Sequence, residues 1–203
     1  MSPILSGLGG ITVKGYGHFG PVRVTDTGAM FPLQVVTVGP AGASSVSFTN
    51  IPNTYSHLQL RYIGRTSRAV NNDGLIVKFN SSNSGYNYLG GHVLFGNGSS
   101  ASSIAGWIGS STAGGAIGQI PGANNASNIF GAAVVDILDY TNTNKHKTVR
   151  TLHGYDANGS GEVHLMSFSW DNTSAITSMA ITVGTGQDFV ANTQFALYGV
   201  KTA

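Results

Sequence analysis

The sequence of 203 residues contains no cysteine, which excludes disulfide bonds, thiolate chemistry and cysteine-ligated zinc. Charge is also scarce, because Asp, Glu, Lys and Arg make up 9% of the chain, against roughly 25% in an average soluble protein. Glutamate occurs once, at Glu162, so long helices with charged solvent faces are excluded. Hydrophobic residues form 41% of the chain. That content is enough for a folded core and argues against disorder.

Basic side chains are too few to mark a nucleic-acid binder. The chain has 10 basic and 8 acidic residues and a net charge of +2, whereas such proteins concentrate Lys and Arg on one face. We therefore expect no nucleic-acid partner. A surface with so little charge resists association poorly, which predicts a homo-oligomer, with a trimer as the expected form. The local basic groups are Arg61, Arg65 and Arg68, and Lys145, Lys147 and Arg150.

No targeting or membrane-spanning segment is recognisable. The first residues have neither the basic region nor the apolar run of a signal peptide. No stretch reaches the about 18 consecutive apolar residues of a membrane helix. The expectation is a protein assembled in the cytoplasm, without membrane insertion.

Residues 1–43 differ in character from the remainder. They hold nine of the 29 glycines, and only residues 33–38 there have a strand-like pattern. Ordering so many glycines costs conformational entropy, so a partner surface would have to supply the burial. We predict a largely irregular docking and assembly segment over 1–43, ahead of a domain over 44–203. The expected docking residues are Ile4, Leu5, Leu8, Ile11, Val13, Tyr16, Phe19 and Phe31.

From residue 44 onward, apolar and polar residues alternate with a period of two, which is typical of strands. About eight such runs, separated by turn sequences such as residues 157–161, predict an all-β, antiparallel, jelly-roll-like β-sandwich. Residues 97–128 are nearly all Gly, Ala, Ser and Asn, and are predicted to form a long functional or interface loop. The strand-like runs are 56–63, 75–79, 86–95, 134–138, 148–152, 163–170, 176–183 and 195–200.

Motifs for ligands are weak. Residues 15–20 match the G-x-G-x-x-G pattern of nucleotide-binding loops, but no helix pattern follows them. Residues 156–161 resemble the start of a calcium loop, but the twelfth position is Ser167 and not Glu. A hairpin turn accounts for the same residues. We predict no cofactor and no bound metal.

Catalytic patterns are equally weak. Asp136 and Asp139 are expected on opposite faces of one strand, so they would not form the carboxylate pair of a glycosidase. The six histidines have no metal-ligand spacing, and His57 and His164 are expected to face solvent. We therefore predict that the chain is not an enzyme.

Aromatic residues beside Gly- and Ser-rich stretches are the best candidates for ligand contact. Tyr86, Tyr88 and Trp107 have Asn, Ser and Gly neighbours, and exposed aromatics are enriched where proteins bind partners. Trp107 is also a candidate for a plug between subunits. Burial in the core is the alternative interpretation for this group.

Four segments resemble structural proteins of tailed bacteriophages. They are residues 48–61 (FTNIPNTYSHLQLR), 139–150 (DYTNTNKHKTVR), 170–178 (WDNTSAITS) and 195–201 (FALYGVK). Their order and spacing also agree, so the resemblance covers roughly residues 38–201. It implies a β-sandwich module of phage particles, often near the C-terminus of tail fibres or other external components, and implies no catalytic residues.

The resemblance leads to a specific functional expectation. The chain is expected to be a non-enzymatic virion protein on the particle exterior, associated with the tail or its fibres and contacting a saccharide or protein of the host surface. Other virion proteins of the capsid, collar or tail are its expected partners. Only about 43 residues precede the module, which favours a compact location over a long shaft. The alternatives are a capsid decoration protein and a free carbohydrate-binding module.

Overall fold

The computed structural model describes residues 29–81, 88–97, 105–111 and 114–201, of which 88–97 and 105–111 are described by their backbone alone. These parts of the chain contain twelve β-strands and no helix, so the predicted all-β class is confirmed. The strands are β1 (Met30–Thr37), β2 (Ser45–Phe48), β3 (His57–Gly64), β4 (Asn72–Phe79), β5 (Tyr88–Asn97), β6 (Ala105–Ser111), β7 (Gly115–Pro121), β8 (Gly131–Ile137), β9 (Lys147–Asp156), β10 (Gly161–Trp170), β11 (Met179–Val183) and β12 (Gln194–Val200).

The strands form two antiparallel sheets that pack face to face. The large sheet has eight strands in the order β1-β12-β3-β8-β9-β10-β5-β6, and the small sheet has four in the order β2-β11-β4-β7. Most connections carry the chain from one sheet to the other, as in jelly-roll sandwiches. The predicted antiparallel β-sandwich is confirmed.

One apolar core lies between the sheets. Phe79 of the small sheet packs against Trp170 and Phe168 of the large sheet, with ring centroids 5.2 and 6.5 Å apart. All three side chains are buried. Aromatic residues of this size remove large apolar areas from water, so these contacts hold the two sheets together.

The N-terminal strand belongs to the sandwich. β1 precedes the boundary expected at residue 44, yet it pairs with β12 from Met30 opposite Val200 to Thr37 opposite Gln194. It forms one edge of the large sheet. The described sandwich therefore starts at Met30, while residues 1–28 of the expected docking segment lie outside the described residues.

Two strands lie in the stretch that was expected to be a long loop. Residues 97–128 include β6 and β7, so that expectation is wrong. β7 lacks clear alternation because glycines stand where its backbone approaches large side chains. A Cβ atom on Gly115 would lie 2.2 Å from the ring of Phe168, and one on Gly118 would lie 2.2 Å from the hydroxyl of Tyr62. The small residues here reflect close packing.

Each end of the sandwich holds a buried cation. At one end, the guanidinium of Arg65 donates to the carbonyl oxygens of Asn125 (2.8 Å), Ala126 (2.8 Å) and Ile129 (3.1 Å). At the other end, the ammonium of Lys147 donates to carbonyls of the β8–β9 and β10–β11 connections, two of them at 3.0 Å. Burial lowers the pKa of both groups. Backbone carbonyl oxygens therefore stabilise these buried cations, a role that carboxylates usually have.

Candidate interaction surface and interlayer polar cluster

Polar side chains from four strands meet between the sheets and form the interlayer polar cluster: Asn72, Gln119, His153, Glu162 and His164. The carboxylate of Glu162 accepts a hydrogen bond from Asn72 (3.2 Å) and pairs with Nε2 of His164 (3.0 Å). The ring of His164 stacks on that of His153 at 4.6 Å. In the amide orientation that satisfies both its oxygen and its nitrogen, Gln119 also donates to Glu162 (2.6 Å). His164 is 3% exposed, so the expectation that it faces solvent is wrong.

The chemistry of this cluster is that of a hydrogen-bonded internal network centred on Glu162. A carboxylate that orients an imidazole also occurs in hydrolases, but Glu162 and both histidines are at most 9% exposed. Burial raises the pKa of the adjacent Tyr155 to about 12, and the negative charge of Glu162 acts in the same direction. Among the described residues, no three His, Cys, Asp or Glu side chains are arranged to hold a metal. The cluster joins β4 and β7 of the small sheet to β9 and β10 of the large one.

The two carboxylates considered as a catalytic pair lie in separate ion pairs. Asp136 is bound by Arg150 on the next strand, at 2.9 Å. Asp139 was expected in the same strand, but it lies beyond the end of β8 with a positive φ of 51°. Its amide donates to Nδ1 of His57 (2.9 Å), and its carboxylate is paired with Lys145. The hydrogen bond from Lys145 lowers the pKa of Asp139 below its usual value.

The aromatic residues predicted to contact ligands fall in the region of β5 and β6. Tyr86 lies outside the described residues. Tyr88 pairs with Ser111 and Trp107 pairs with His92, so the backbone register places the two at different levels of the β5–β6 ladder. Their contact with a ligand stays a prediction.

One of the expected docking residues is described. Phe31 lies in β1, where its ring packs on that of Tyr55 at 5.6 Å and Lys201 stands over it at 4.7 Å. The others lie outside the described residues, and their role stays a prediction: Ile4, Leu5, Leu8, Ile11, Val13, Tyr16 and Phe19.

The outward face of the large sheet carries a group of exposed aliphatic side chains, the outer apolar patch. On β8, β9 and β10, Val134 lies opposite Leu152, and Leu152 lies opposite Leu165. Directly opposed residues in a sheet have Cβ atoms about 4.5–5.5 Å apart, so this row is continuous. Leu152 is 54% exposed. The patch consists of Ile63, Ala132, Val134, Leu152, Val163 and Leu165.

In the strands that carry this patch, several polar residues face the interior and apolar residues face outward, the reverse of the usual pattern. In β10, Glu162 and His164 point into the sandwich, while Val163 and Leu165 point out. In β9, His153 is buried and its neighbour Leu152 is exposed. Antiparallel sheets with one face in water usually alternate with apolar residues inward and polar residues outward, so these strands depart from the pattern of a solvated face. The sequence feature that marks the patch is the alternation of apolar and polar residues in β10. There the polar residues face the interior and the apolar residues face outward.

Comparison with known proteins gave no match: no protein-family model, no curated protein and no solved structure matches this chain. Within the described residues, no helix is long and apolar enough to cross a membrane.

Proposed function

We propose that this chain is a non-enzymatic structural protein of a bacteriophage particle. It is displayed on the particle exterior as a component of the tail or its fibres, contacts the host surface, and binds other virion proteins. The observation that carries the structural role is the reversed patterning of the large sheet, which exposes Leu152, Val163 and Leu165 while ionisable groups are enclosed. An exposed aliphatic group on a sheet marks a surface for protein contacts.

The bacteriophage context rests on the resemblance of four sequence segments, and their arrangement supports it. These segments are far apart in the chain, yet they meet around one end of the sandwich, close to Lys147. A module inherited as a unit would keep such mutually supporting segments. Backbone hydrogen bonds join them, from Ile51 to Thr177 (2.9 Å), from Ile176 to Tyr140 (2.8 Å) and from Ser56 to Val200 (2.9 Å).

Fractionation of particles tests this function. Phage particles from the source of this sequence would be purified by density gradient, stripped of loosely bound protein with salt, and analysed by quantitative mass spectrometry. We expect this chain at a fixed copy number per particle. Recovery only in the free fraction would contradict the proposal. Recovery on separated capsids rather than tails would favour a decoration protein, and free protein that binds polysaccharide would favour a carbohydrate-binding module.

A second test addresses catalysis. The purified chain should release no sugars or peptides from host polysaccharide or peptidoglycan. Turnover that disappears on Asp→Asn substitution at Asp136, Asp139 or Asp156 would contradict the non-enzymatic assignment. Turnover that survives all three substitutions would contradict it as well, unless a mock preparation without the chain shows the same turnover.

A further inference from the structure

The outward face of the large sheet has an internal symmetry. A line drawn parallel to the strands between β8 and β9 divides it into halves whose side chains match in chemistry at five of the six pairs of positions nearest the line. Val134 lies on one side of the line, directly opposite Leu152 on the other. In the next row, Ile63 and Val163 lie at equal strand distances from the line.

The polar row beside the patch follows the same rule with opposite charges. Asp136 on β8 faces Arg150 on β9 across the line, with 2.9 Å between the carboxylate and the guanidinium. One strand further out on each side lie Gln59 of β3 and Ser167 of β10. At these positions a half-turn about this line exchanges apolar with apolar, polar with polar, and anion with cation. In the row of Val134 and Leu152 it also exchanges Arg61 of β3 with Leu165 of β10.

We propose that two copies of this chain pack through this face, outer sheet against outer sheet, about a two-fold axis that runs parallel to the strands between β8 and β9. The proposal deepens, and rests on, the structural role proposed above. A two-fold contact uses the same surface on both subunits and must be self-complementary. The apolar pairs and the Asp136–Arg150 pair meet that requirement, and the aliphatic stem of Arg61 covers Leu165 of the partner subunit.

The pairing assigns specific contacts. Val134 packs against Leu152 of the partner subunit, and Ile63 packs against Val163 of the partner subunit. Asp136 faces Arg150 of the partner subunit, and the reciprocal pair is made by the same operation. Together with the pair inside each chain, this gives four charges of alternating sign. Such complementarity across an interface fixes its register.

The size of the face is sufficient for a stable contact. Six strands, three on each side of the axis, are β12, β3, β8, β9, β10 and β5. At a spacing of about 4.8 Å and with about seven residues at 3.4 Å each, they cover roughly 700 Å². A standard interface buries about 800 Å² on each partner. The aliphatic centre and polar rim also match the usual arrangement of interfaces. The low charge of the chain, 9% of its residues, leaves little repulsion between copies.

The mass of the full chain in solution is the first test. Sedimentation equilibrium at micromolar concentration should give twice the chain mass of 21.0 kDa. Leu152→Lys should weaken the dimer by at least about tenfold, since it places like charges near the axis. Ser47→Lys, an exposed position on the small sheet, should not. A monomer, a dimer insensitive to Leu152→Lys, or the trimer that the low charge of the sequence predicts would overturn the proposal.

A charge exchange tests the axis. Asp136→Arg alone should weaken the dimer, because four positive charges then meet at its centre. Asp136→Arg combined with Arg150→Asp should restore it, because the alternation of sign returns. Circular dichroism and thermal melting of each variant verify that the fold is intact. A double variant as weak as the single one would overturn the two-fold pairing.

Cross-linking provides a readout that does not depend on affinity. The chain has no cysteine, so one can be introduced at a chosen position. A mixture of Ile63→Cys and Val163→Cys proteins should form a mixed disulfide faster than either protein forms one with itself. Equal rates would overturn the assigned register. Incorporation into particles without dimerisation in solution would contradict this inference while leaving the proposed function standing.

Discussion

The buried ammonium of Lys147 makes the sharpest stability prediction. Its side chain is fully buried, and Nζ donates to the carbonyl oxygens of Lys145 and Thr173, at 3.0 Å each, and to that of Asn142. Hydrogen bonds to a charged group contribute about 1.5–3 kcal/mol each, and a buried acceptor left without a donor costs about 1–3 kcal/mol. Lys147→Met retains the apolar stem but removes every donor, so several carbonyls lose their partner.

The expected net loss is smaller than the sum of these contacts. Burial lowers the pKa of Lys147, because the charged form is removed from water; Met would not incur this desolvation cost. We therefore expect Lys147→Met to reduce the free energy of unfolding by about 2–4 kcal/mol. For a chain of this size, each kcal/mol corresponds to about 2–4 °C in Tm. Urea denaturation followed by circular dichroism measures the change directly.

Lys145→Met is the matched control. This side chain is 55% exposed and pairs with Asp139 at the surface, so its loss should cost no more than about 1 kcal/mol. If Lys147→Met left the stability unchanged or raised it, the carbonyls would be satisfied without the ammonium. The argument that this cation organises its end of the sandwich would then be refuted.

Three further predictions follow from other parts of the fold. The pKa of Asp139 is lowered in the folded state, so its stabilising contribution is complete above its ordinary pKa of 3.8 and is lost as the pH falls through the folded pKa. Asp139→Asn should therefore lower Tm at neutral pH, and the difference in Tm from the unmodified chain should vanish in acid. A difference that does not change with pH would contradict this assignment. Gly115→Ala should cost about 1–3 kcal/mol from overpacking, while Gly74→Ala, where a Cβ meets nothing within 4 Å, should cost much less in the same urea titration. Deletion of residues 1–28 should leave cooperative thermal melting intact, and deletion of 1–43 should lower Tm because it also removes β1; equal melting of the two truncations would place β1 outside the stable unit.

Alternation of apolar and polar residues in the sequence predicts well those strands whose apolar side chains face the core. In β3, β8 and β12 the alternation of side chains is strong, because one face is covered by the aromatic and aliphatic core. β7 is not predictable in this way. Its glycines are required by the ring of Phe168 and the hydroxyl of Tyr62, which reach β7 only after the two sheets have packed.

The outward surface shows a second limit of sequence reasoning. Alternation in β10 separates Val163 and Leu165 from Glu162 and His164, but it does not tell which series faces inward. Hydrophobicity alone selects the wrong series at these positions. Partners on other strands decide the outcome, because Asn72 and Gln119 supply the hydrogen bonds that allow Glu162 to be buried. Because successive residues of a strand face opposite sides of the sheet, burial of Glu162 and His164 in the interlayer polar cluster places Val163 and Leu165 in the outer apolar patch.

Imaging of intact particles tests the central claim most directly. A small tag at the C-terminus, labelled with gold and viewed by electron cryomicroscopy, would locate the chain, and averaging would resolve its two sheets. The account predicts label at regular positions on the exterior of the tail, with the outward face of each large sheet covered by a second copy. Particles without label, or sandwiches whose large sheets face solvent, would contradict it.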